Sequence, residues 1–249
     1  MPSCIGSESC WKKEILISKP IASPLPGAGL EVEWLGQVGY AEGVRFQEEA
    51  LEARRAPEGK DRLLLLEHPP VVTLGRGSRE ENLLVSREEL ARRGIELHEV
   101  SRGGDVTFHS PGQLVGYLVV DLDAREERDV HLFLRRVESA LIEALSELGL
   151  ATGRISGKTG VFMRAAETNP GADRKIASIG IGVRHWITYH GFALNVSMDL
   201  AGFDVIVPCG LEGVEMTSVE KELGPGQMDQ DACVREAVRR AMLSEFASG

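Results

Sequence analysis

The sequence predicts an α+β fold with mixed or antiparallel sheets, and three observations carry that expectation. Runs suited to strands stand beside one another without an intervening helix around residues 62–74, 95–120 and 159–196. Helical spacing is confined to a few stretches elsewhere, the clearest at 130–148. Strict alternation of strand and helix, the mark of a parallel α/β sheet, is absent.

Taken in order, residues 1–30 contain Pro20, Pro24, Pro26, Gly27 and Gly29, a composition that resists regular structure. An N-terminal extension, disordered or loosely attached, is therefore expected over 1–30, followed by one domain over 31–249. Val32, Trp34 and Val38 suit a first strand. Tyr40, Val44, Gln47 and Leu51 fall at helical spacing, and Pro57 ends that helix. Residues 62–67 read as a buried strand, broken by His68, Pro69 and Pro70 and resumed at 71–74 before Gly75, Arg76 and Gly77. Ser86 with Glu89 is a capping box opening a helix that Gly94 stops. Residues 95–100 alternate as a strand.

After a turn-rich stretch come a strand over 114–120 and then the helix, with Val130, Leu134, Val137, Leu141, Leu145 and Leu148 on one stripe. Strands are expected at 159–163, 175–182, 185–189 and 191–196, with an exposed loop at 167–174. Pro208, Cys209 and Gly210 form a turn. A last amphipathic helix buries Val234, Val238, Met242 and Phe246, and Cys233 within it reads as a small core residue.

The 249 residues carry a formal net charge of −10, which argues against a general binder of nucleic acid or membrane surfaces. No apolar run approaches the roughly 20 residues of a membrane span. Lys12 and Lys13 are flanked by Glu8 and Glu14 and precede only a short apolar run, so no signal peptide is read and cytoplasmic residence is expected. The four cysteines, Cys4, Cys10, Cys209 and Cys233, form neither a CxxC pair nor a zinc-type grouping, so no metal site is expected.

Chemistry concentrates in a few places. Arg102, Gly103, Gly104, Asp105, Val106, Thr107, Phe108 and His109 bring a fixed charge and a titratable group to a segment whose glycines allow close backbone approach. An ordinary hairpin with polar tips has the same pattern, so spacing alone leaves both open. Cys209 lies in a turn that can expose its sulfur. A nucleophilic cysteine must be a thiolate, and lowering its pKa from about 8.5 to about 6 takes roughly 3.4 kcal/mol, within reach of one partly buried cation. Lys175 and His109 are the two partners on offer. Lys175 heads a small-residue strand, where desolvation would act on its own pKa; a solvated strand-end lysine has the same sequence. Ser178, Ile179 and Gly180, with Gly191, Phe192 and Ala193, are low-volume segments able to line a groove. His185 and His190 flank a strand, and His185 reads as a polar hairpin end. Gly153 to Thr159 does not make a phosphate loop, because three residues rather than four separate its glycines.

Six ordered segments resemble the signature motifs of the lipoyl(octanoyl) transferase family: Glu67-His-Pro-Pro-Val-Val-Thr-Leu-Gly75, Arg102-Gly-Gly-Asp-Val-Thr-Phe-His-Ser-Pro-Gly-Gln113, Thr159-Gly-Val-Phe162, Lys175-Ile-Ala-Ser-Ile-Gly180, His190-Gly-Phe-Ala-Leu-Asn195 and Pro208-Cys-Gly-Leu211. The resemblance covers about residues 31–245. It implies the catalytic fold of biotin and lipoate-protein ligases, a single α+β domain with a large and a small mixed β-sheet flanked by helices. It further implies that Cys209 takes octanoyl from acyl carrier protein as a thioester and that Lys175 lowers the cysteine pKa and moves protons. The segments 102–109, 178–180 and 191–193 would bind the acyl group. Implied acceptors are lysines of lipoyl domains, in 2-oxoacid dehydrogenase complexes and the glycine cleavage H protein, and no cofactor is implied. Ser110, Phe108 and Phe162 depart from the glycine, tyrosine and tryptophan usual at those places, which touches pocket shape rather than reaction. A monomer is expected. The competing readings are an ATP-dependent lipoate or biotin ligase, favoured faintly by Gly75-Arg76-Gly77, and a silent scaffold for carrier proteins.

Overall fold

Four consecutive leucines, Leu63, Leu64, Leu65 and Leu66, form the centre of strand β2 (Arg62–Glu67), and all are buried. A strand apolar on both faces needs cover on both sides. The computed structural model, which describes residues 29–163, 173–208, 213–224 and 230–247, supplies it. Leu63 and Leu65 join the core beneath helices α3 (Val130–Glu147) and α5 (Gln230–Glu245), while Leu64 and Leu66 join a second core against α1 (Tyr40–Arg54).

The large sheet runs β1 (Glu31–Gln37), β2, β6 (Gln113–Val119), β10 (Ile187–Asn195), β9 (Asp173–Arg184), β8 (Val161–Met163), β7 (Thr152–Gly153), with β11 (Val214–Met216) also paired to β9. β1 lies parallel to β2 and β11 parallel to β9; the remaining pairs are antiparallel. A small sheet has β3 (Val71–Leu74) at its centre, parallel to β4 (Glu96–Glu99) and antiparallel to β5 (Val106–His109). Both sheets are mixed and helices flank them, as expected. The small sheet is inserted between β2 and β6, and Gly112 N–H donates to the Glu67 carboxylate at 2.9 Å where the chain returns.

The helices follow their apolar spacing. In α3, Phe133, Val137, Leu141 and Leu145 are buried, and the Asp129 carboxylate accepts from the N–H groups of His131 (2.8 Å) and Leu132 (3.0 Å), a cap contributing about 1 kcal/mol. Leu134 is only half-buried, because Phe133 takes the inward position. The capping box at α2 (Arg87–Arg92) is half made: Ser86 Oγ accepts from Glu89 N–H, but the Glu89 carboxylate turns to Arg93 at 2.6 Å. Val234, Val238, Met242 and Phe246 are buried as expected, yet Cys233 is exposed. The turn of α5 that sends Val234 inward sends its neighbour outward, which corrects the reading of Cys233 as core.

Other corrections are local. Asp173 and Arg174 belong to β9 rather than to a loop, and the rest of the stretch expected to be that loop, 167–172, lies outside the described residues. His185 and Trp186 are the two residues of the β9–β10 hairpin turn, both with positive φ (53° and 63°), so the strand begins at Ile187. Leu30 already packs in the main core, while residues 1–28 lie outside the described residues. No helix among the described residues is long and apolar enough to cross a membrane.

Candidate active site

Between the two sheets lies a cavity of about 230 Å³. Its floor is the α1-side face of the large sheet, and strand register explains why a hollow forms there. Ser178, Ala193 and Val115 make one row across β9, β10 and β6; Gly180, Gly191 and Tyr117 make the next. Side chains on one face recur every second residue, so two glycines, a serine and an alanine in adjacent rows leave a depression bounded on β6 by larger residues. The roof comes from the small sheet and the turn before it. Thr107 and His109 point down from β5, and the backbone of Gly103 closes over Gly180, where a Cβ would lie 3.0 Å from the Gly103 carbonyl oxygen. Arg102, beside it, is held by the carbonyl and hydroxyl oxygens of Thr73, each 2.9 Å from Nη2.

The deep wall is polar and uncharged. His68 is fully buried: Nδ1 is 2.9 Å from the Val38 carbonyl, which only accepts, so Nδ1 carries the proton and Nε2 accepts from the Tyr117 hydroxyl at 2.8 Å. Burial lowers the His68 pKa to about 4. His109 Nδ1 lies 2.7 Å from Gln113 Oε1, and the Gln113 amide N–H groups are committed to Phe108 O and Asn195 Oδ1, so Oε1 is the acceptor and Nδ1–H the donor. His109 therefore presents a bare Nε2 to the cavity, its pKa pushed down to about 3 by burial and by nearby His68. His190, also on the wall, is lowered to about 3 by burial and by the guanidinium groups of Arg102 and Arg76. Burial raises the Tyr40 hydroxyl to about 12 and Tyr117 well above its ordinary value. At neutral pH these groups are all uncharged.

At the other end stands Lys175, buried to 2% exposure. Its backbone sits where β9 changes partners: Phe162 of β8 pairs it on one side and Met216 of β11 on the other. Its Nζ lies 5.6 Å from the centre of the Phe162 ring, a cation–π contact, and its carbonyl accepts from Thr217 N–H at 2.9 Å. Asn195 Nδ2 donates to the Thr217 carbonyl at 2.9 Å, so His109, Gln113, Asn195, Thr217 and the backbone of Lys175 form one hydrogen-bonded line across the floor. Cys209 lies outside the described residues. On either side of 209–212, Val207 N–H donates to Asn82 O, whose side chain donates to the carboxylate of the cavity residue Asp105, and β11 begins at Val214.

Residues 39–247 match the model of the lipoyl protein ligase A/B catalytic domain family. An octanoyltransferase of Acidobacterium capsulatum is 46% identical over 85% of this chain and 86% of its own length. The chain belongs to this family. A second octanoyltransferase, from Geotalea uraniireducens, is 46% identical over 85% of this chain and 92% of its own. Among solved structures, the bipartite lipoate protein ligase of Thermoplasma acidophilum superposes with a TM-score of 0.68 at 18% identity, covering 90% of this chain and 86% of that one, and so shares the fold.

Within the lipoyl ligase frame, the cavity brings together Lys175, Arg102, Gly104, Asp105, Thr107, His109, Ser178, Ile179, Gly180, Gly191, Phe192 and Ala193 of the expected residues. Gly103, Val106 and Phe108 do not line it. Gly103 lays its carbonyl over Gly180, and Val106 and Phe108 alternate to the other face of β5 and pack with Phe203 in the core of the small sheet. Sequence reasoning missed Tyr40 and Tyr117, left His190 open as a strand end and gave Gly157, Lys158 and Thr159 no place in the site; all six line the cavity. The available signal was polarity inside strands: Tyr117 and His190 interrupt apolar runs, and buried polar groups need partners.

Proposed function

We propose that this protein transfers an octanoyl group from acyl carrier protein to a lysine of lipoyl domains, those of 2-oxoacid dehydrogenase complexes and the glycine cleavage H protein, through a thioester on Cys209. The observation that carries the reading is a small-residue groove running to a buried lysine in a chain whose relatives are octanoyltransferases. Gly180 lies five residues along β9 from Lys175, about 17 Å at roughly 3.3 Å per residue. An extended eight-carbon chain of roughly 9 Å fits that floor and leaves room for the lysine side chain and the reacting carbonyl. Each buried methylene contributes up to about 0.8 kcal/mol, which gives chain-length preference.

In the first half-reaction the Cys209 thiolate attacks the thioester carbonyl of the donor, the carrier thiol leaves with a proton, and an acyl-enzyme thioester remains. In the second, the acceptor ε-amine attacks that thioester, loses a proton, and expels Cys209, leaving an amide. The neutral state of His109 supports giving the cationic role to Lys175, because an imidazole with a pKa of about 3 supplies neither positive charge nor an effective base at neutral pH. Both flanks of 209–212 support the assignment: one is anchored at Asn82 beside Asp105, the other returns as β11 in register with Lys175. The ATP-dependent alternative is disfavoured by the Gly75–Ser78 turn. Its N–H groups are already given to the carbonyls of Asp105, Arg102, Gly104 and Gly75, so none is left to cradle a phosphate.

Incubation with octanoyl carrier protein, without ATP, and intact mass spectrometry tests the reading. One octanoyl adduct that Cys209→Ser abolishes is the expected result; turnover that survives in Cys209→Ser, or that requires ATP, would overturn it.

A further inference from the structure

Helix α3 carries one residue that its apolar stripe does not explain. Glu138 is fully buried in the middle of the helix, where a carboxylate persists only if it is paired and hydrogen-bonded. Its Oε2 accepts from Arg135 Nη1 at 2.6 Å and from Arg154 Nε at 2.8 Å. Its Oε1 accepts from the backbone N–H of Gly160 at 3.1 Å. Arg154 is fixed in turn by Arg135 O and Ser139 Oγ, so the carboxylate cannot rotate without breaking several bonds.

Gly160 is the residue by which the Gly157–Thr159 turn, part of the cavity wall, passes Lys175. Its φ is +127°, and a Cβ there would lie 2.7 Å from Lys175 Cε and 2.5 Å from the Ala177 carbonyl oxygen. Only glycine fits, and the lysine stem is confined between this turn and the Phe162 ring. We infer that Glu138 is a positioning residue for Lys175: by holding Gly160 N–H it fixes the turn that forms one wall of the lysine slot, and so sets where the ammonium stands during acyl transfer. The inference rests on the reading of Lys175 given above.

Glu138→Gln keeps size and shape but cannot satisfy the site. If its carbonyl oxygen faces Gly160, its NH₂ meets two arginine donors; if it faces the arginines, NH₂ meets the Gly160 N–H. The test is a cycle of Glu138→Gln, Lys175→Ala and the double variant, with octanoyl transfer followed against pH. Displacement of a reacting group by about 1 Å costs up to about a hundredfold, so Glu138→Gln is expected to lower kcat by about tenfold or more. KM for the acyl donor should hold, and the pH profile should move toward that of Lys175→Ala. The double variant should be no slower than Lys175→Ala. A wild-type rate and profile in Glu138→Gln, or effects that multiply in the double variant, would overturn the inference. Wild-type behaviour of Lys175→Ala would overturn the reading of the lysine itself and the inference with it. Should Glu138→Gln fail to fold, Glu138→Asp, which keeps the charge for the arginines but draws the carboxylate back from Gly160 N–H, enters the same cycle with the same criteria.

Discussion

The Tyr117 hydroxyl donates to His68 Nε2 at 2.8 Å across two adjacent layers of structure, one residue on the sheet floor and the other at the break between β2 and β3. Both groups are buried and uncharged, so the bond is the way each satisfies the other. Tyr117→Phe takes the donor from a buried ring nitrogen and is expected to cost about 1–3 kcal/mol. Urea unfolding checks it: the midpoint should fall with the slope unchanged, and an unaltered midpoint would show that water replaces the hydroxyl at no cost.

Three histidines on or behind the cavity wall set an acid limit. His68, His109 and His190 have folded pKa values of about 4, 3 and 3, all below the ordinary value of about 6.5 in an unfolded chain. Between those values the unfolded state binds more protons. The contribution is therefore fully present above pH 6.5 and is lost as pH falls toward 4 and then 3. Thermal unfolding at pH 7, 6 and 5 should show falling Tm, with on the order of a few kcal/mol lost by pH 5. A His190→Asn variant should show a shallower slope, and parallel curves would argue against this source.

Glycines of the floor differ in what faces them. A Cβ on Gly191 would stand 2.2 Å from the backbone oxygen of Gly116 on the neighbouring strand, whereas on Gly180 it meets Gly103 O at 3.0 Å and Arg102 Cδ at 3.2 Å. Gly191→Ala should therefore destabilise more than Gly180→Ala, by about 2 kcal/mol, because a paired strand cannot yield as a turn can. Gly180→Ala should instead raise KM for the acyl donor by displacing the roof. Calorimetry and steady-state kinetics on the pair separate the two effects, and equal losses of stability would count against the distinction.

Away from the cavity, Asp61, at the head of β2, ties the end of α1 to the turn that precedes α3. Its carboxylate accepts from Arg54 Nε and Arg125 Nε, both at 2.6 Å, and from Asp121 N–H at 3.0 Å, with the acid only 7% exposed. Asp61→Asn removes one counter-charge shared by two guanidinium groups, while Arg54 keeps Asp121 at 3.4 Å, and should cost about 3 kcal/mol. Acyl transfer per folded molecule should be unchanged; a loss of kcat in fully folded protein would place Asp61 nearer the chemistry than its position indicates.

Periodic apolar patterning made most of the fold readable. The leucines of β2 and the stop at Gly94 each have one physical outcome, and each occurs, while the stripe of α3 holds at Val137, Leu141 and Leu145 and gives way to Phe133 at Leu134. Failures arise where one residue must choose between faces. Cysteine as a residue type favours the core, while the helix phase set by Val234 and Val238 turns Cys233 out. His185 falls at the hairpin end where its polarity puts it, but the strand start expected at 185 moves to Ile187, because nothing in the chemistry of Trp186 announces a turn that asparagine and glycine usually make. In the site, motif segments were readable as stretches but not as sides: the same strand sends Thr107 and His109 to the cavity and Val106 and Phe108 to the core behind it. Glu138 was invisible because its role depends on Gly160, 22 positions away in sequence.

The hydrogen bond from Gly112 to Glu67 joins the two ends of residues 68–111, which leave the large sheet at β2 and re-enter it at β6, the antiparallel neighbour of β2. The small sheet is thus an excursion whose endpoints stay fixed whatever happens within it. Insertions and substitutions there can remodel the upper surface of the cavity without disturbing the register that holds the floor and Lys175. The fold thus separates a wall that is free to change from a floor that must keep its place.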